Sequence, residues 1–130
     1  MPEGAEAMWA ADQASHRLGI ELDELDAGRA SVRMTVADWM VNGHGLCHGG
    51  LVFTLADTAF ALACNSGRED AVAAACDVVF VAPAHAGDEL VARAEERTRF
   101  GRSGVYDVTV RRADGEVIAE FRGRSRVVGG

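Results

Sequence analysis

The chain has 130 residues, 48 % hydrophobic and 25 % charged, which suits a folded globular protein and excludes a disordered one. Its net charge is −7, with 20 acidic residues against 13 basic ones that are all arginine. That balance argues against nucleic acid or an anionic membrane as a partner, but leaves room for a small phosphorylated ligand held by a few arginines.

The N-terminal stretch MPEGAEAMWAADQ carries acidic residues and no long apolar core, so no signal peptide is expected. No linker, repeat or low-complexity tract follows, and residues 1–130 read as one domain. Spacing from Gly4 to His16 is helical, with Met8, Trp9 and Ala11 as apolar contacts and Gly19 as a stop. Apolar and acidic residues alternate from Ile20 to Leu25, and Ala30, Val32, Met34 and Val36 alternate again. Ala27-Gly28 between these runs predicts a hairpin.

The segment from Asn42 to Gly50 contains four further glycines and two histidines, and it runs into an apolar helix predicted from Gly49 to about Asn65. Leu51, Val52, Phe53, Leu55, Phe60 and Leu62 cover the whole circumference of that helix, which predicts burial on every side. One sheet covers one side only, so a second copy of the chain is the expected cover for the other, in a dimer. Asp57 interrupts the apolar run, which falls short of the roughly 18 uncharged residues a membrane span needs.

Beyond the helix, AVAAACDVVFVAPA predicts a buried strand ending at Pro83, and DELVARAEERTRF a further strand. Tyr106, Val108 and Val110 oppose Val105, Asp107 and Thr109 on the next, and Asp114-Gly115 turns the chain into a last strand. One dominant helix against a meandering antiparallel sheet, with an extra N-terminal helix, is an α+β fold.

Two features of the helix invite chemistry. Glycines at its start let a ligand approach backbone N–H groups that have no internal partner and that favour negative charge. The same glycines equally serve a chain that only has to turn. Asp57 is a carboxylate among apolar residues, which is costly unless it is paired or neutral. An arbitrary buried Asp is usually bonded to backbone or Arg, but here no Arg lies in the helix and Thr54 and Thr58 are the only polar side chains nearby. A desolvated carboxylate is a candidate general base or nucleophile. Eight helical residues rise about 12 Å, so Gly49 and Asp57 of one chain cannot hold one reacting group. Two such helices packed antiparallel about a two-fold axis bring them together across an interface.

His44, Cys47, His48 and Asp57 do not match a zinc spacing, so no metal is expected. Cys47 and His48 are adjacent, which disfavours a Cys–His dyad. Three cysteines without a C-x-x-C pair exclude a disulfide framework and read as reduced thiols of a cytoplasmic protein. Arg97 and Arg99 read as a solvated face paired to Glu95 or Glu96 or as contacts to a ligand's phosphates, Arg122, Arg124 and Arg126 on one strand face as surface or subunit contacts, and Trp9 and Trp39 as core packing in preference to lining a ligand pocket.

Asn42, HGGLVFTLADTAFALACNS from His48, and GRSGVYDVTV from Gly101 resemble the hotdog-fold acyl-CoA thioesterases, and among them the PaaI-type phenylacetyl-CoA thioesterases. The resemblance runs from the first strand to the last. It implies a hotdog fold, a curved antiparallel sheet wrapped around one long central helix, in homodimers that pair into homotetramers with sites at the dimer interface. It implies hydrolysis of phenylacetyl-CoA or hydroxyphenylacetyl-CoA without a cofactor. The Gly49 N–H would polarise the thioester carbonyl, and Asp57 would be base or nucleophile. Asn42 would orient water, His48 would shape the loop or contact the thioester, and Thr58 would support the carboxylate side. Gly50, Arg102, Ser103 and Gly104 would meet the CoA ester. A non-catalytic acyl-CoA-binding hotdog protein and a hotdog hydratase or dehydratase are the alternatives.

Overall fold

The computed structural model describes residues 3–67 and 69–128. Helices α1 (Glu3–Ala11) and α2 (Gln13–Arg17) precede strands β1 (Glu21–Asp26) and β2 (Arg29–Thr35). A single 3-10 turn at Asp38–Met40 leads to the long helix α3 (Gly49–Cys64), and β3 (Ala71–Phe80), β4 (Glu89–Phe100), β5 (Ser103–Arg112) and β6 (Val117–Val127) follow. The predicted N-terminal helix is thus two helices. Asp12 adopts an extended backbone and its carboxylate accepts from the Ser15 N–H, because Asp is a strong N-cap and a poor interior residue.

The six strands form one antiparallel sheet in the order β1-β2-β4-β5-β6-β3. The predicted hairpins at Ala27-Gly28 and Asp114-Gly115 are present, and both glycines have positive φ. The expectation of a simple meander is corrected at β3. Helix α3 carries the chain from β2 to the far edge of the sheet, where β3 pairs with β6, and β4 returns beside β2.

β3 was expected to be buried, but it is an edge strand. Among the described residues only its β6 side is paired, and Val72, Val79 and Phe80 are 50 %, 63 % and 54 % exposed.

Register shifts at Leu22/Glu24, Ala73/Ala75, Glu96/Thr98 and Val110/Arg111 bend the sheet, and α3 touches all six strands. The core between them holds Met34, Leu55, Phe60, Leu62, Leu90, Val108, Val110 and Ile118, all fully buried. Phe60 packs against Gly123 of β6 so closely that a Cβ there would lie 2.7 Å from its ring. Trp9 packs partly buried against this core. Trp39, expected in it, is 66 % exposed on the 3-10 turn.

Candidate active site

The loop from Asn42 to Cys47 is tied by its own side chains. Asn42 Oδ1 accepts from the N–H groups of His44 and Leu46 at 2.9 and 3.2 Å, and Gly45 supplies the positive φ that closes the turn. The Asn42 amide group is left without a partner among the described residues. Cys47 N–H donates to the Ala84 carbonyl and His48 N–H to that of Met40, which seats the loop on its neighbours.

His48 is the N-cap of α3, and its Nδ1 accepts from the Gly50 N–H at 3.3 Å. The cap consumes Gly50's donor and leaves the Gly49 N–H with no acceptor among the described residues. An unsatisfied donor at the positive end of a 16-residue helix suits an oxygen that gains negative charge.

Gly49 and Asn42 line one cavity of about 400 Å³, together with Val52, Phe80, Val81 and Ile118. A Cβ on Gly49 would stand 3.1 Å from the Phe80 ring, so glycine keeps the backbone within reach of the cavity.

Asp57 is half-buried, and no hydrogen bond or ion pair to its carboxylate exists among the described residues. Burial raises its pKa above the usual carboxylate range, and the negative charge of Asp12 raises it further. Thr58 was expected to support this carboxylate. Its hydroxyl instead donates to the Thr54 carbonyl at 2.8 Å and lies 3.0 Å from Ser15 Oγ. Gly49 and Asp57 stand about 12 Å apart along the helix axis, so one chain does not bring the donor and the carboxylate together.

Arg102, Ser103 and Gly104 lie at the β4–β5 turn, beside Arg99, which reaches Gly67 just past the end of α3. Arg102 braces the end of β6 by donating to the Val127 carbonyl at 3.0 Å. Gly104 is a packing glycine, since a Cβ would lie 2.8 Å from Ser125 Oγ and 2.9 Å from the Tyr106 ring. Arg99 pairs with Glu96 and Glu69, whereas Arg97 pairs with Asp107 and not with a neighbouring glutamate.

Burial pushes the Cys47 thiol up, and its Sγ faces the His48 carbonyl, so no Cys–His dyad forms. The sequence reading missed Ser15 and Phe80. Both reach α3 from distant positions, and no local spacing signals either contact.

A curved antiparallel sheet around one long helix that carries Gly49, Gly50, Asp57 and Thr58 defines the hotdog class. The chain belongs to the thioesterase superfamily, whose family model matches residues 44–119. Acyl-coenzyme A thioesterase PaaI of Escherichia coli K12 is 46 % identical over 128 residues, 98 % of this chain and 91 % of that protein. The structure of the E. coli PaaI protein superposes with a TM-score of 0.95 over 98 % of this chain and 93 % of that one. A mutant of the phenylacetic acid degradation protein PaaI from Thermus thermophilus is 36 % identical, with a TM-score of 0.87 over 90 % and 100 % of the two chains. A Streptococcus mutans UA159 protein solved with acetyl-CoA is 26 % identical, with a TM-score of 0.81 over 85 % and 89 %.

Proposed function

We propose that residues 1–130 act as one thioesterase domain that hydrolyses acyl-CoA thioesters, with phenylacetyl-CoA or hydroxyphenylacetyl-CoA as preferred substrate. The observation that carries this reading is the split along α3. A donor-bearing cavity opens at its first turn, and a carboxylate with no partner among the described residues lies two turns further on.

Val52, Phe80, Val81 and Ile118 give the cavity an apolar wall that suits an aromatic acyl group. The thioester carbonyl accepts from the Gly49 N–H, which stabilises the oxyanion. The Asn42 amide orients the attacking water, and His48 holds the helix start in shape. Ionised Asp57 takes the water's proton, or attacks the carbonyl carbon itself to form a mixed anhydride that water then opens. In both routes the C–S bond breaks, CoA leaves as a thiolate that needs little protonation, and the free acid is released. Gly50, Ser103, Gly104 and Arg102 are assigned to the CoA side.

The β3 edge supports the dimer. It leaves a row of backbone groups unpaired and exposes Val72, Val79, Phe80 and Val81, a surface that invites a second strand. Two copies joined there about a two-fold axis set their α3 helices antiparallel, and Gly49 then meets the partner's Asp57. Pairing of dimers into a homotetramer rests on the family resemblance. Three free cysteines fit the reducing cytoplasm.

Thiol release from a panel of acyl-CoA esters tests the reading, with phenylacetyl-CoA expected to exceed aliphatic esters of similar size. Asp57→Asn should lose about 10²–10⁴-fold in kcat while still binding the ester. Unchanged hydrolysis in that variant removes Asp57 from the mechanism. A wild type that binds CoA esters and hydrolyses none favours the binding module. A single turnover in ¹⁸O-water that leaves label on the Asp57 carboxyl identifies attack by Asp57 with water opening the anhydride at the Asp57 carbonyl, because direct attack by water labels only the released acid.

A further inference from the structure

The buried contact between the N-terminal helices and α3 is polar. Asp12, at the α1–α2 junction, accepts from the Ser15 N–H through Oδ1 at 2.9 Å and from the Ser15 hydroxyl through Oδ2 at 2.6 Å. Ser15 Oγ lies 3.0 Å from Thr58 Oγ1, and Thr58 Oγ1 is 2.8 Å from the Thr54 carbonyl. Ser15 is 2 % and Thr58 7 % exposed, so water does not compete for the bond between them.

Three contacts share two hydroxyl hydrogens. A carboxylate only accepts, so Ser15 gives its hydrogen to Asp12. The Ser15–Thr58 bond is then donated by Thr58, which shares its one hydrogen between Ser15 and the Thr54 carbonyl. The chain therefore runs in one direction, Thr58 to Ser15 to Asp12, and ends on a negative charge. A carboxylate acceptor makes its last link a strong one.

Thr58 adjoins Asp57 in sequence. We propose that Asp12 and Ser15 are positioning residues: their hydrogen-bonded chain to Thr58 fastens the α1–α2 segment over the turn of α3 that carries Asp57, making that segment a wall of the active site. This rests on the thioesterase reading above, because it gives the segment a task in that reaction.

The surroundings of Asp57 agree. Of the titratable groups, Asp12 faces it from the α1–α2 junction, Cys64 from the end of α3 and Cys76 from β3. The only charged neighbour among these is Asp12, and its charge and the burial act in the same direction on Asp57. A docked segment thus holds Asp57 away from water and keeps it a stronger base than an exposed aspartate.

Two variants separate the charge from the fastening. Asp12→Asn keeps every contact, since its amide N–H₂ donates to Ser15 Oγ and the chain of hydrogens reverses towards the Thr54 carbonyl. Ser15→Ala keeps the charge and breaks the chain. The ¹³C carboxyl signal of Asp57 is titrated by NMR in each variant and in the wild type. Hydrogen exchange is followed over 12–17, and kcat is measured against pH with phenylacetyl-CoA.

Asp12→Asn should move the Asp57 midpoint to lower pH with exchange unchanged. Ser15→Ala should move it the same way, because water enters, and should speed exchange in α2. The acidic limb of kcat should follow the midpoint in both, and Asp12→Glu, which restores the charge, should return it towards the wild type.

Folded variants in which the midpoint stays fixed overturn the proposal, even where activity or melting temperature falls, since a purely structural cap predicts that result. The NMR titration needs no turnover. A wild type inactive on every ester therefore refutes the thioesterase reading, while the Asp57 midpoint still decides the positioning roles.

Discussion

Asp57 sets function and stability against each other. Its carboxyl is half-buried without a partner among the described residues, and burial raises its pKa, with Asp12 adding to the effect. A raised value means the folded state prefers the neutral form. The group's contribution to stability is complete below the ordinary carboxylate range and is lost as pH rises through the raised value. At pH 7, where catalysis needs the anion, ionised Asp57 therefore destabilises the fold. Asp57→Asn should stabilise the protein at pH 7 by about 0.5–2 kcal/mol, and the gain should shrink to nothing below about pH 4. Thermal melts of both proteins at pH 3.5 and pH 7 measure this, and equal melting temperatures at pH 7 contradict it. Asp107 has the opposite sign. The Arg122 guanidinium holds its carboxyl below the usual range through bonds of 2.6 and 2.8 Å. Its contribution is present at neutral pH and is lost as pH falls through the lowered value. The pair is exposed, so Arg122→Ala should cost under about 1 kcal/mol at pH 7, less in high salt.

Helix α3 is placed on the sheet by the fit between Phe60 and Gly123. A Cβ on Gly123 would lie within 2.7 to 2.8 Å of three Phe60 ring atoms. Gly123→Ala must push that ring, and α3 with it, away from β6. A cost of about 1–3 kcal/mol is expected, read from the denaturant midpoint at constant m-value. The helix was legible in the sequence because its apolar run is long and bounded by glycines, and the two predicted glycine hairpins were legible because positive φ has a local signature. Helix rise alone was enough to show that Gly49 and Asp57 cannot share one carbonyl. The Gly123 contact, the Asp12 break and the Ser15–Thr58 bond were not legible, since each depends on which distant segment arrives opposite. The position of β3 failed for the same reason. Its valines read as a buried strand, and only the topology shows that one side of the strand is left unpaired.

The whole molecule must explain how a donor and a carboxylate about 12 Å apart on one helix serve one carbonyl, and the open β3 edge supplies the means. If two copies join there, each site takes Gly49 from one chain and the carboxylate from the other. Gly49→Pro removes the donor with little harm to the helix. Gly49 is the first residue of α3, where proline is favoured, and His48 before it is extended at φ −58, ψ 129. The three atoms nearest a Cβ at Gly49 all belong to the Phe80 ring, the far end of a side chain that can shift. Gly49→Pro and Asp57→Asn homodimers should each be inactive. Mixed dimers have one site that carries both lesions and one that carries neither. Random mixing in equal amounts should thus restore about a quarter of wild-type activity per chain, since half the dimers are mixed and each has one intact site. Native mass spectrometry counts the mixed dimers in the sample that is assayed. Mixed dimers present in the expected share without activity would rule out a site divided between two chains.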